Sequence, residues 1–161
     1  MQTIEGSRQA NGLRFAVVVS KYNDFVTDRL QAGALAALAS AGVASADITL
    51  IRVPGAFEIP LAAQHAAESA RFDAVVCLGC LIRGETAHFE YISSAVSLGL
   101  TTAAAATGVP MSFGVLTTNS VEEALARAGE GPGNKGHEAA VAAIEMAEVV
   151  AQLTRQATPG T

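Results

Sequence analysis

Apolar residues in this chain gather into short unbroken runs that alternate with longer stretches of helical spacing. Phe15-Ala16-Val17-Val18-Val19 is such a run, rich in β-branched residues and without a polar position to turn toward water, as a strand covered on both faces requires. From Asp24 to Ala41 the period lengthens, so that Val26, Leu30, Ala34, Ala37, Leu38 and Ala41 share one side of a helix and Gly42 ends it. The alternation repeats with Ile48 to Val53 as strand, a helix opening at Ile59-Pro60, Ala74 to Ile82 as strand, and a helix from about Ala87 to Ala106. Met111 to Leu116 predicts a fourth strand. Ser120 with Glu123 is a capping-box pair for a short helix, and Glu138 to Leu153 predicts the last one. The order βαβαβαβαα implies an α/β fold with a four-stranded parallel sheet, helices on both faces, right-handed crossovers and ligands at the carboxyl ends of the strands.

Length and composition narrow the class. At 161 residues the chain is expected to be one domain, 1–161, with a core of its own. Half of the residues are hydrophobic, yet no stretch reaches the roughly 20 uncharged apolar positions of a membrane-spanning helix. The start of the sequence lacks the basic-then-apolar segment of an export signal, which points to the cytoplasm. Cys77 and Cys80 have the Cys-x-x-Cys spacing of redox and zinc motifs, but both fall inside the apolar run from Ala74 to Ile82 and read as buried strand residues. The net charge is −5 and the ten basic residues are spread singly, which leaves no cationic stripe for nucleic acid. Only 16% of residues are charged, so much of the surface is expected to face other protein. Residues 1–12 and 157–161 are polar or contain Gly and Pro, and are expected to be flexible or held by a neighbouring subunit.

Candidate chemistry lies in the four segments that follow the strands, all expected to open on one rim. Tyr22-Asn23 and Phe57-Glu58 each pair an aromatic with a polar side chain, which suits a flat ring stacked on one face with polar groups held beside it. Gly84-Glu85-Thr86 precedes a helix and offers an anion free amides, the positive dipole end and a hydroxyl. His88, in the first turn of that helix, is the candidate base. Gly129 to Gly136 is neither a Walker loop nor a dinucleotide fingerprint and reads as a hinge, yet it sets Lys135 close to Arg127, two cations suited to an anionic ligand. Each of these has a plain alternative: Phe57 in the core, Tyr22 and Asn23 as turn residues, His88 as a surface or capping histidine, and the two cations as solvated surface.

Taken together, Pro54-Gly55-Ala56-Phe57-Glu58-Ile59-Pro60, Gly79 to Phe89, Phe113-Gly114-Val115-Leu116-Thr117 and Asn134-Lys135-Gly136 stand in an order and spacing that resembles the lumazine synthases, over about Arg14 to Val150. The resemblance implies a flavodoxin-like three-layer α-β-α sandwich and a transferase of riboflavin biosynthesis. Such an enzyme condenses 5-amino-6-(D-ribitylamino)uracil with 3,4-dihydroxy-2-butanone 4-phosphate to 6,7-dimethyl-8-ribityllumazine, releasing phosphate and water without a metal or redox cofactor. By position, Tyr22 stacks on the pyrimidine, Asn23, Ala56, Phe57 and Glu58 surround the ring and ribityl chain, and Leu81 and Ile82 give backbone contacts to the ring. Gly84, Glu85 and Thr86 form the phosphate turn, and His88 transfers protons. Phe113, Arg127 and Lys135 come from the neighbouring subunit in this family, with Arg127 on the phosphate. A homopentamer is implied, and the short segment between Gly129 and Asn134 matches relatives whose twelve pentamers form an icosahedral capsid, in some cases around riboflavin synthase. The chain departs from the family in Tyr22, where Phe or Trp is commoner, and in Glu130 and Pro132, where many relatives carry a lysine. Two other readings use the same residues: a non-catalytic riboflavin- or lumazine-binding or shell-forming relative, and a flavodoxin-like protein holding FMN. The first has no use for His88 together with Arg127. The second leaves Arg127 and Lys135 without a task.

Overall fold

Strands that are apolar on both faces need two layers of helix, and the computed structural model supplies them over residues 1–157, the part of the chain it describes. Strands β1 (Phe15–Ser20), β2 (Ile48–Val53), β3 (Ala74–Ile82) and β4 (Met111–Thr118) form one parallel sheet in the order β2-β1-β3-β4. Val17 pairs with Leu50 on one side and Val76 on the other, and β4 runs beside β3 from Val75↔Met111 to Ile82↔Thr118. The central strand β1 is buried throughout. Its alternate residues serve different cores. Phe15, Val17 and Val19 pack with α1 (Asp24–Ser40) and α5 (Lys135–Ala157), whereas Ala16 and Val18 pack with α2 (Ile59–Glu68) and α3 (His88–Thr107). Each fully buried valine stabilises the sheet by about 1.5–3 kcal/mol relative to exposure. The short helix α4 (Val121–Arg127) follows β4, its cap formed as the Ser120 and Glu123 pairing predicts, with the Ser120 hydroxyl accepting from the Glu123 amide at 3.2 Å.

The elements follow the expected order, and the differences have local causes. Strand β4 extends two residues beyond Leu116 because Thr117 and Thr118 still pair with Leu81 and Ile82. Helix α5 starts at Lys135, three residues before Glu138, because Asn134 caps it. Its side-chain oxygen accepts from the amides of Gly136 at 2.8 Å and His137 at 3.1 Å, and its side-chain nitrogen donates to the carbonyls of Arg29 and Gly129 at 3.1 and 2.9 Å. The expected hinge is therefore pinned at a fully satisfied asparagine, 3% exposed, against α1. Gly136 is required at the same crossing, since a Cβ there would run into the Leu30 carbonyl. Gly42, at φ +90°, ends α1 in the left-handed region as its position suggests.

The N-terminal segment also touches its own chain, residues 5–10 meeting α5 and the end of α1. The Ser7 amide donates to the Glu148 carboxylate, the Gln152 side chain donates to the Glu5 carbonyl at 3.0 Å, and Ala10 is buried with its amide on the Ala41 carbonyl at 2.9 Å. At the other end Ala157 closes α5, and the expectation for residues 158–161 lies outside the described residues. Cys77 and Cys80 are free and buried in β3, where burial pushes their thiols up to about 12 and about 11. No helix among the described residues is long and apolar enough to cross a membrane.

Candidate active site

The order β2-β1-β3-β4 places the topological switch between β1 and β3, the point where loops leave toward opposite faces and a crevice opens at the carboxyl ends. A groove of about 860 Å³ lies there, lined by Tyr22 and Asn23 after β1, Pro54 to Glu58 after β2, and Cys80 to Ile92 contributions from β3, its loop and the start of α3. Backbone bonds continue past the strand ends and hold the first two loops together, from the Lys21 amide to the Val53 carbonyl at 2.8 Å and from the Tyr22 amide to the Pro54 carbonyl at 3.1 Å. Asn23 sits in the left-handed region at φ 62°, a conformation that asparagine tolerates better than most residues. Its side-chain nitrogen donates to the Cys80 carbonyl at 2.9 Å and ties the β1 loop to the end of β3. That bond uses one of the two N–H donors, so Asn23 keeps its side-chain oxygen and the second N–H for a ligand.

Tyr22 and Phe57 project into solvent at 72% and 63% exposure, which sets aside the reading of Phe57 as a core residue. Ala56 is buried beneath them. Leu81 and Ile82 form the floor, half-buried at the last two positions of β3. On the far side Gly84, Thr86 and His88 line the groove; the side chain of Glu85 is exposed outside it. Among the described residues no backbone carbonyl accepts from the amides of Gly84, Glu85 or Thr86, and the Thr86 hydroxyl accepts from the His88 amide at 3.4 Å. This is the arrangement of an anion seat at the start of a twenty-residue helix. Phe89, Tyr91 and Ile92 also line the groove and were not singled out from the sequence, although a helix that starts at His88 turns positions three and four residues on toward the same side.

The fourth strand-end segment opens on the same carboxyl rim, where Thr118 pairs with Ile82, but it does not line this groove. Thr117 and Thr118 belong to a second groove of about 690 Å³ beside the edge strand β4, lined by Phe113, Arg127, Lys135, Glu138 and Met146 among others. Phe113 is half exposed on that edge, at 49%. Among the described residues the Arg127 guanidinium donates only to the Glu123 carbonyl of its own helix, at 3.0 Å, and Lys135 pairs with Glu138 at 2.7 Å. Glu138 has no place in the sequence reading as a site residue, and only its position one turn after Lys135 marks it. The two grooves share no lining residue. One copy of the chain therefore does not bring Phe113, Arg127 or Lys135 to Thr86 and His88.

A doubly wound sheet with an aromatic groove at its switch point and free amides at a helix start defines a class of protein suited to a flat polar ring together with an anionic group. A sequence profile of the 6,7-dimethyl-8-ribityllumazine synthases matches residues 12–151. A relative from Syntrophus aciditrophicus (strain SB), named 6,7-dimethyl-8-ribityllumazine synthase, is 52% identical over 149 residues, covering 92% of this chain and 97% of its own. The chain belongs to the 6,7-dimethyl-8-ribityllumazine synthase family, the transferases of riboflavin biosynthesis.

Proposed function

We propose that the two grooves are halves of one active site, completed when the β4 edge of one copy meets the rim of the next. The reaction is the condensation of 5-amino-6-(D-ribitylamino)uracil with 3,4-dihydroxy-2-butanone 4-phosphate to 6,7-dimethyl-8-ribityllumazine, phosphate and water. The observation that carries the shared site is the separation just described: the anion seat and the cations that complement it lie in grooves without a common residue. Exposed Tyr22, Phe57 and Phe113 add support, since a monomer leaves all three rings in water.

In this site Tyr22 stacks on the pyrimidine and the Leu81 and Ile82 backbone reads its edge. Asn23, Ala56, Phe57, Glu58 and the partner's Phe113 and Lys135 surround the ring and ribityl chain. Gly84, Glu85 and Thr86 seat the phosphate through backbone amides and one hydroxyl, facing the partner's Arg127. The 5-amino group adds to the ketone and water leaves to give an imine; loss of a proton then expels phosphate. The enol product tautomerises, and the ribityl-bearing nitrogen closes on the remaining carbonyl with loss of a second water. Each step moves a proton between carbon, nitrogen and oxygen, the task given to His88 beside the seat. Arg127 and the helix start stabilise the departing anion.

The same reading makes the particle a homopentamer in the cytoplasm, with twelve pentamers in an icosahedral capsid and riboflavin synthase as a partner to be enclosed. The short, glycine-rich segment from Gly129 to Asn134 supports the capsid. Complementation tests the shared site directly. A copy broken at the rim (Tyr22→Ala with His88→Ala) and a copy broken at the edge (Phe113→Ala with Arg127→Ala) are each expected to be nearly inactive. Reassembled in equal amounts they should restore roughly a quarter of the sites, because one combination in four draws both intact halves. Mixtures that show only the sum of their components, or a full-activity particle with the mass of one chain, would overturn the reading. Lumazine fluorescence, phosphate release and sedimentation of the same sample provide the measurement.

A further inference from the structure

Arg83 precedes the anion seat and lies outside the groove. Its Nε donates to the Asn119 side-chain oxygen at 2.9 Å, its Nη1 pairs with the Glu90 carboxylate, and its guanidinium lies over the Phe89 ring, 4.5 Å from the centroid. Its backbone amide donates to the Thr118 carbonyl at 2.8 Å. The guanidinium thus holds three points: one edge on the β4–α4 loop, the other on the first turn of α3, and its flat face on the side chain that follows His88. Asn119 is fixed in turn by its amide, which donates to the Glu123 carboxylate at 2.8 Å within α4.

The geometry points to Arg83 as a positioning residue for the phosphate turn: it fixes residues 84–88 by clamping both of their ends to rigid elements. The turn leaves β3 at Ile82 and joins α3 at His88, with no regular structure of its own between. Arg83 bridges that gap. It does so without presenting a competing charge to the anion, since it faces Glu90 and does not line the groove. A lysine provides one point charge where three directions are needed, so the fork and the flat face of arginine are both in use. Arg83 and Glu90 are about half exposed, which makes their pairing a weak contributor to global stability. Its consequence is local, where a misplacement of about 1 Å in a seat costs as much as tenfold to a hundredfold in its use.

This inference rests on the assignment of residues 84–86 as the phosphate seat, and steady-state kinetics on the intact enzyme separates the two. Arg83→Met is expected to raise the KM for the phosphorylated ketone, and the inhibition constant of inorganic phosphate, by roughly tenfold. The KM for the pyrimidine amine should change by less than about twofold, and the thermal midpoint little. Arg83→Lys should recover part of the loss. Asn119→Leu, at the other end of the clamp and outside the turn, should raise the same two constants by about threefold, and combined with Arg83→Met it should add nothing further. Unchanged constants, equal rises for both substrates, additive effects, or a loss of activity that only follows loss of folded protein would each overturn the clamp. If Arg83→Met does not fold, Asn119→Leu alone decides between these outcomes. If Thr86→Val and Arg127→Ala also leave the KM for the phosphorylated ketone unchanged, the phosphate seat itself is wrong. If those two raise it while Arg83→Met and Asn119→Leu do not, only the clamp is.

Discussion

In the proposed site His88 and Arg127 carry different kinds of work, and their substitutions should separate. A proton carrier lowers barriers for steps that buffer and water also perform, whereas a guanidinium on a dianion supplies charge that nothing else in the groove replaces. Both substrates are reactive, so holding them together supplies much of the acceleration. His88→Ala is therefore expected to lower kcat by about tenfold with little change in either KM. Arg127→Ala should raise the KM for the phosphorylated ketone by about a hundredfold, the effect of losing a charge-assisted pair of bonds. Steady-state kinetics with each substrate varied in turn checks both, and an unchanged Arg127→Ala enzyme would remove that residue from the phosphate. Asn23 shows how much of a site residue is hidden from the sequence. Its left-handed backbone and its bond to the Cys80 carbonyl make it a strut between two loops, a task apart from the ligand contact proposed for it.

At the level of elements, Asn134-Lys135-Gly136 divides between structure and site. Asn134 and Gly136 belong to the crossing of α1 with α5, and only Lys135 lines the edge groove. Asn134→Ala removes the cap of a 23-residue helix and leaves the Gly129 carbonyl without its side-chain donor. A loss of about 2–3 kcal/mol is expected from the cap and the unmet bonds together. Chemical denaturation measures it, and a change below about 0.5 kcal/mol would mean that the crossing is held by packing alone. The helices were legible because their apolar period is long and regular. Their starts were less so, since α5 is capped by an asparagine that also bonds the Arg29 carbonyl, 105 residues away in sequence.

On the scale of the whole molecule the N-terminal segment meets the last helix, and that contact is expected to respond to pH. The Ser7 hydroxyl, and after it the Ser7 amide, hold the Glu148 carboxyl below the ordinary carboxylate range. A carboxyl lowered in the folded state stabilises the contact above the ordinary range and loses that contribution as pH falls through its lowered value. Hydrogen exchange should therefore show residues 5–10 protected at neutral and mildly acid pH, with protection lost in stronger acid while the β1 amides stay protected. Glu148→Gln should expose the segment at neutral pH. Protection of the segment that persists unchanged in strong acid, or in Glu148→Gln, would show that Ala10 and Gln152 hold it without the carboxylate.

The sequence by itself determined the four strands, the helices that alternate with them and the parallel sheet, because runs such as Phe15 to Val19 have only one environment that satisfies both of their faces. It also determined the family, since short stretches in fixed order carry both the rim and the edge residues. Tertiary structure decided how those residues are shared out. Whether Thr117 and Arg127 line the groove at the switch point depends on which side of β4 its edge faces, a matter of strand order rather than of period. Arg83 is one more surface cation until β4 brings Asn119 beside it and α3 brings Glu90 and Phe89. Side-chain periodicity reports which face is buried; it does not report which distant loop will stand next to which, and that is where the site is built.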